Sequence, residues 1–570
     1  MLKCTALVVA VAWTSIGLAG YSLRTLPLPG EFSRGISVAE TSQREWPALL
    51  ARTELSLLAW SRKDEDGIHP ALIQVNPTGD LSTPKELALP KVEYLGHPQL
   101  LLIDDRPWLF FIGRALGMED RSLYGMPLTE EGGIAGPPRR FVGSELWEYE
   151  IVLGGTGVWM GYKDAGGLVW LASFTLEQGT EFIWKLGQGE GPPALVPTEQ
   201  GIHVIWAKTE GSGPCVLMYT WAENKGLNPP MELHSFPLPT GTVVSQPAGT
   251  AASGWVYAAV GFEYRGGEQP GRAEVWVISF PVGHPDECIA YSLGIPETFP
   301  GEYPLQMEGL DMARLPPRGH TRPTDLYNPR GVLETTEYAL LTLGARLHRG
   351  RSHQVQPVVV AFAGGRPVAW RPVAVSRDMT YAVQLGRSSR GWHVTWLDML
   401  GYGAYRLFYA STAELERQAF NRIGWDDAIY FLGTVASGWL GGLALTPLFI
   451  MASVPGLVLI FIHYLLGGEE SLAYRWPRAL LALGLLPYVI LKIVLTGTFG
   501  GMPFAEWVSR FTAQVVGRVL PFVPSLLGIV GVWIYTRRAG EPTLFPAWAA
   551  FVVTDMAFTI MILGPVFAGG

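Results

Sequence analysis

The sequence is poor in charge and almost without cysteine. Of its 570 residues only 16% are charged and only three are cysteines, where an ordinary soluble domain is about 25% charged. So few cysteines exclude a small disulfide-stapled scaffold. With 42 basic against 50 acidic residues there is no basic face to follow a phosphate backbone, which excludes nucleic acid as a partner. Phosphate-binding loops, dinucleotide fingerprints and serine elbows are missing in usable context, and the ten histidines show no ligand spacing. No cofactor and no metal is therefore expected. What is plentiful is glycine, proline and apolar side chains, with 68, 44 and 48% respectively.

The shortage of charge is unevenly shared. From Ala428 to Gly570 there are 12 charged residues in 143 positions, whereas the first 427 residues carry 35 basic and 45 acidic ones. An acidic globule and a nearly uncharged membrane region are joined near Asp427. The uncharged run Cys4–Leu23 follows Lys3 and contains the small-residue stretch Gly17-Leu-Ala-Gly20, so residues 1–23 read as a signal peptide or an N-terminal membrane anchor. Either exports residues 24–427.

Four apolar stretches occupy the C-terminal region, at 428–466, 479–499, 511–535 and 544–567. Each of the last three matches one helical crossing. The first, 39 residues without a charge, is too long for one straight crossing. It is either a hairpin turning near Thr446-Pro447 or an interfacial helix leading into one crossing. One net crossing leaves Arg475, Arg478, Arg537 and Arg538 in the cytoplasm and satisfies the positive-inside rule. Four crossings are therefore expected, the bilayer being the first partner. Lys492 and Asp555 lie near the middles of their spans, where a lone charge costs at least about 2.5–3.5 kcal/mol, so an intramembrane ion pair is expected.

The exported part is a repeat. Gly201-Ile-His-Val-Ile-Trp206 returns as Gly391-Trp-His-Val-Thr-Trp396, and at the same offset Gly211, Gly213, Leu217 and Tyr219 meet Gly401, Gly403, Leu407 and Tyr409. Looser copies of this strand–turn–strand pattern recur about every 50 residues. Repeats of this length, each a short antiparallel meander, predict a β-propeller of about seven blades, with stacked β-sandwiches as the alternative. Alternation places Val204 and Trp206 on one face, His203 and Ile205 on the other. The fold class expected is thus an all-β extracytoplasmic propeller followed by an all-α transmembrane bundle. Phe32–Ala39 is expected to complete the blade containing Gly391–Thr412 and close the ring. Proline-rich Ile295–Arg330 reads as a long connection between blades five and six.

Thr175-Leu-Glu-Gln-Gly-Thr-Glu-Phe182 resembles the Asp-box hairpin of sialidase-like propellers, with Glu177, Glu181 and Phe182 where that pattern has Asp, Thr and Trp. In that family the box is a structural turn away from the active face, so the resemblance implies fold alone. Tyr464-Leu-Leu-Gly-Gly-Glu-Glu-Ser471, running on to Leu486-Pro487, resembles the Yip1-type membrane domains over some 25 residues.

His203 and His393 hold equivalent positions in two repeats, and a shared role within the strand explains them better than a metal. Arg346, Arg349 and Arg351, with His348 and His353, crowd one turn. They are the candidate ligand-binding residues, for an anionic glycan or a lipid headgroup. A solvated turn is the alternative. Cys215 and Cys288, in neighbouring units, are a candidate disulfide, with buried free thiols as the alternative. No catalytic group can be named. The function expected is binding, recognition or scaffolding at the cell envelope, with a glycan, a peptide or another membrane protein on the propeller face. The alternatives are a sialidase-like glycan-processing enzyme and a transport or assembly component. A convergent Arg/Glu/Tyr group on one face separates the enzyme from the binder.

Overall fold

The computed structural model describes residue 25 and residues 31–568, except 66, 143–144, 156, 178, 210–212, 224–225, 267–269, 317–323, 350–351, 402, 423, 445, 498–515 and 517. The N-terminal signal or anchor, 1–23, lies outside the described residues, as does the start of the third apolar stretch. The chain divides into two compact units, one over Arg24–Arg422 and one that includes Ile423–Gly570.

Seven antiparallel sheets make up the first unit. Their innermost strands are Ala48–Ala51, Val92–Ile103, Leu146–Gly154, Ala194–Thr198, Ala248–Ala252, Leu326–Val332 and Met379–Ser388, for blades one to seven. Each sheet is apolar on both faces, and each gap between neighbours is filled by its own cluster. Val204 and Trp206 pack with Val152, Trp159 and Leu171 of blade three. Ile205 and Ala207, one residue out of phase, pack with Val256, Val260 and Phe280 of blade five. The last gap, between blades seven and one, holds Leu397, Leu407, Leu58 and Trp60. A seven-bladed propeller is the arrangement in which every such face is covered.

The ring closes through chain ends. Ile36–Thr41 pairs with Ala404–Ser411 as the outer strand of blade seven, from Ile36 opposite Tyr409 to Thr41 opposite Tyr405. The Asp-box-like segment joins the third and fourth strands of blade three, Leu168–Thr175 and Gly179–Gln188. Ile295–Arg330 differs from the expected loop. It contains a hairpin, Leu305–Met307 with Leu310–Arg314, that extends the outer edge of blade six, and it ends in that blade's innermost strand. Proline hid these strands, because Pro304 and Pro329 sit at strand ends or bulges where no ladder donor is needed.

After the last strand come helices α1 (Glu414–Phe420), α2 (Trp425–Ala444), α3 (Thr446–Leu465), α4 (Arg475–Gly497), α5 (Val523–Arg538) and α6 (Leu544–Ala568). Among the described residues four helices are long and apolar enough to cross a membrane: Thr446–Leu465, Arg475–Val494, Leu520–Arg538 and Leu544–Ile562. Helix α2 begins before Asp427, where composition had put the boundary. Its first turn contains Asp427, whose carboxylate accepts the Gly424 N–H at 2.9 Å, as acids do at helix starts. The Trp439 indole donates to the Met561 carbonyl at 3.1 Å, Gly442 lies against Ile560 and Gly456 against Trp548. Rising residue numbers on α2 and α3 meet falling numbers on α6, so the first apolar stretch breaks but does not turn back at Thr446-Pro447. The Yip1-like segment is the connection from α3 into α4.

Candidate functional site

Positive φ at non-glycine residues marks one end of the propeller channel. Asp104, Asp105, Ser253 and Glu308 have it because two-residue hairpin turns require it. His97 (φ 56°), Asn328 (φ 48°) and Ala382 (φ 53°) have it for another reason. Each lies in an innermost strand, inside a bulge with one extra residue, between Gly96 and Gln99, Tyr327 and Arg330, and Tyr381 and Gln384. A fourth bulge, between Leu146 and Glu148, opens the innermost strand of blade three. Bulges bend a strand and re-aim the side chains beside them, and such backbone strain concentrates at functional sites.

Side chains beside these bulges, Gln99, Glu150 and Arg330 among them, and others that lead into blades one and five, Arg44, Trp46 and Gln246, line a cavity of about 510 Å³ on the propeller axis. A side cavity of about 120 Å³ shares Trp46, Glu150, Gln246 and Arg330 with it. The Arg330 guanidinium lies over the Trp46 ring, 5.0 Å from its centre, and Arg44 lies 4.2 Å over Tyr381. Gln246 Nε2 donates to Glu150 Oε2 at 2.8 Å. Burial pushes the Glu150 carboxyl above its ordinary range, against the opposing pull of Arg330 and Gln246.

Three further carboxylates line the wall, Glu45, Glu148 and Glu334, and Glu45 has a structural task. Glu45 accepts the His97 N–H at 2.9 Å and the Ser61 hydroxyl, which pins the blade-two bulge. A Cβ on Gly96 would come within 2.3 Å of that carboxylate, so only glycine serves there. Tyr149 donates to the His97 carbonyl at 2.7 Å, and Gln99 bonds the Tyr149 carbonyl at 3.1 Å. Blades one, two and three are thereby stitched together under the cavity floor. What lines the cavity is an aromatic face, guanidinium and amide donors, and the carboxyls of Glu148, Glu150 and Glu334, of which burial raises Glu150 and Glu334. Among the described residues no group of three His, Cys, Asp or Glu is placed to hold a metal ion.

Of the residues singled out in sequence, Arg346 is committed to the fold. It pairs with Asp325 at 2.7 Å and donates to the Tyr327 hydroxyl at 2.9 Å, while Arg272 holds the other oxygen of Asp325 at 2.8 Å. Arg349 ends its strand; its side chain, and all of Arg351, lie outside the described residues. Cys215 and Cys288 are free. Both contribute to the same apolar cluster, but the Cys288 thiol is turned to the Leu233 carbonyl at 3.3 Å, so the disulfide considered from sequence is absent. Lys492 Nζ stands 2.6 Å from Asp555 Oδ1, with both side chains fully buried. Tyr488 donates to Asp555 Oδ2 at 2.6 Å and Ser525 to Oδ1 at 2.8 Å.

The 190-residue offset reappears as geometry. His203 bonds Tyr219 (2.8 Å) and Thr198 (3.1 Å); His393 bonds Tyr409 (2.6 Å) and Ser388 (2.8 Å). Burial lowers the His203 imidazole to about 4, so it is a neutral strand-to-strand tie. Sequence reading missed Trp46, Glu150, Gln246 and Arg330. They come from four separated segments, and the only local signal was proline inside strand-like runs, Pro98 and Pro329.

No family model matches the chain, and no curated protein matches it. Solved structures with a similar fold include the polysaccharide lyase Uly1, at 9% identity and a TM-score of 0.40, covering 66% of this chain and 90% of that one. An α-L-arabinanase of Penicillium chrysogenum follows at 9% and 0.36, covering 69% and 98%. The subtype N11 neuraminidase-like protein of A/flat-faced bat/Peru gives 11% and 0.33, covering 68% and 97%. The seven sheets themselves, rather than these distant likenesses, carry the fold assignment.

Proposed function

We propose that this chain is a membrane-embedded receptor whose exported propeller binds an envelope oligosaccharide at the bulged mouth of its channel. The observation that carries the reading is the set of four bulged innermost strands around one cavity of about 510 Å³, within the roughly 300–1,000 Å³ of small-ligand sites. Trp46 offers a flat apolar face for a sugar ring, and Arg330, Arg44 and Gln246 offer donors for its hydroxyls. Binding is favoured over hydrolysis because two of the other cavity carboxylates are already held, Glu45 by Ser61 and His97 and Glu334 by the Arg387 N–H at 2.6 Å. An exported propeller agrees with the C-terminal spans and with the arginines gathered at one end of them.

Full-length protein in detergent, applied to an array of envelope oligosaccharides, tests the reading. Trp46→Ala should weaken a bound glycan about thirty-fold, since an aromatic anchor contributes roughly 2 kcal/mol. Retention of full binding by that variant, or binding by none of the glycans, refutes it. One observation favours a second reading, glycan cleavage: burial raises the Glu150 carboxyl within the cavity, the direction a general acid needs. New reducing ends on incubation, abolished in Glu150→Gln while binding persists, would establish that reading instead.

A further inference from the structure

One end of the helical bundle is organised as a headgroup surface. The loop after α3 and the loop after α5 are tied by backbone bonds, Leu472 N–H to the Pro542 carbonyl at 2.9 Å and Leu544 N–H to the Glu470 carbonyl at 3.0 Å. This clasp gathers the end of α3, the start of α4, the end of α5 and the start of α6 at one level. Arg475 and Arg478 stand in the first turn of α4, Arg537 and Arg538 in the last turn of α5. Aromatic rings share that level: Trp476 is 81% exposed and Tyr474 58%, and Arg537 lies 4.2 Å over the half-exposed Trp533 ring. The acids of this end, Glu469, Glu470 and Glu541, lie on the loops, past the helix ends.

The charges are thus layered, arginines and indoles at the helix ends and carboxylates in the loops beyond. Arg478 is exposed but bonded to the Leu472 and Ala473 carbonyls. Arg475 and Arg538 are exposed and have no acidic partner among the described residues. Exposed indoles and arginines at the rim of apolar helices match the bilayer interface, where tryptophan sits at headgroup depth and arginine reaches phosphate. Charge balance decides the sign of the partner. Glu470 reaches back to the Tyr464 hydroxyl of α3, and four arginines against three carboxylates leave this end net positive toward the headgroups.

We propose that this end of the bundle, through Arg475 and Arg538, binds anionic phospholipid headgroups of the cytoplasmic leaflet. The proposal rests on the membrane reading above, and it adds a lipid preference that a simple anchor does not require. Full-length protein is reconstituted in nanodiscs of phosphatidylcholine alone or mixed with phosphatidylglycerol, and retained lipid is counted by native mass spectrometry. Phosphatidylglycerol should be retained selectively. Each of Arg475→Gln and Arg538→Gln should weaken retention about five-fold, from about 1 kcal/mol per interfacial arginine. Arg62→Gln, on the propeller, should change nothing. Equal retention of the two lipids, or full retention by the double arginine variant, overturns the proposal. So does displacement of the lipid by soluble glycerol phosphate, which would mark a site for free phosphate. Release of the protein from membranes by carbonate would instead defeat the membrane reading itself.

Discussion

Two fully buried carboxylates, one in each unit, are held by the same kinds of partner. Glu416, on the short helix after the last blade, receives Arg390 at 2.9 Å and the Tyr409 hydroxyl at 2.7 Å, with His393 at 3.5 Å. Asp555, in α6, receives Lys492 and the Tyr488 hydroxyl, each at 2.6 Å, and Ser525 at 2.8 Å. Their surroundings differ. Around Glu416 the blades are already fixed by ladders and by apolar clusters on both faces, and burial's upward push on the carboxyl is outweighed by His393, Tyr409 and Arg390. Around Asp555 helices α4, α5 and α6 meet through this polar cluster. In the membrane setting proposed above, lipid tails are as apolar as the helices, so burying leucine does not choose a partner. The difference is between a network that trims an existing fold and one that selects which helices pack.

Removing a cation from each side breaks the comparison most directly. Lys492→Ala should lower bundle stability by about 5 kcal/mol, because the carboxylate stays buried without its counter-charge. The double variant Lys492→Ala/Asp555→Ala should recover part of that loss in the same thermal unfolding series in detergent. A single variant as stable as the parent would show that the pair selects nothing.

A third buried carboxylate tests what happens without a cation in contact. Asp398 accepts the Ser376 and Thr380 hydroxyls, and burial pushes it up to about 7. Its folded pKa thus lies above the unfolded value, so the folded state binds the proton more tightly. Its contribution is present below pH 3.8 and is lost as pH rises to about 7. The loss should total about 4 kcal/mol, read as a falling propeller midpoint that flattens above neutrality. Asp398→Asn should remove that slope.

Arg390→Ala should cost about 3 kcal/mol, at the lower end for a broken buried pair, because Tyr409 and His393 still reach Glu416. Glu416→Gln in the same background should restore most of it, measured by tryptophan fluorescence on denaturation. The smallest effect belongs to blade four, whose matching histidine has no carboxylate. His203→Ala should cost about 1–2 kcal/mol, and less than His393→Ala.

Much of the architecture was legible because propeller blades are local. The strand pairs around Gly201–Trp206 and Gly391–Trp396 are hairpins, so periodicity and turn residues suffice to find them. Blade closure by the segment after Phe32 also followed, since a ring must join its ends. Blade six was harder, because Asn328-Pro329 reads as a turn until the bulge and its neighbours in blade five are seen. The candidate site was not legible at all. Trp46, Glu150, Gln246 and Arg330 belong to different blades, and Arg346, which stood out locally, is bound to Asp325.

By itself, the sequence determined the split into an acidic β-rich part and an uncharged helical part, the repeat length, and the need to pair Lys492 and Asp555. Those follow from composition, from period and from the cost of charge in an apolar medium, all readable along one strand or helix. Only the tertiary structure decided which side chains meet at the channel mouth, and that the first apolar stretch runs on along α6 without turning back. Both depend on segments far apart in the chain approaching within a few ångströms, and a one-dimensional pattern carries no record of that approach.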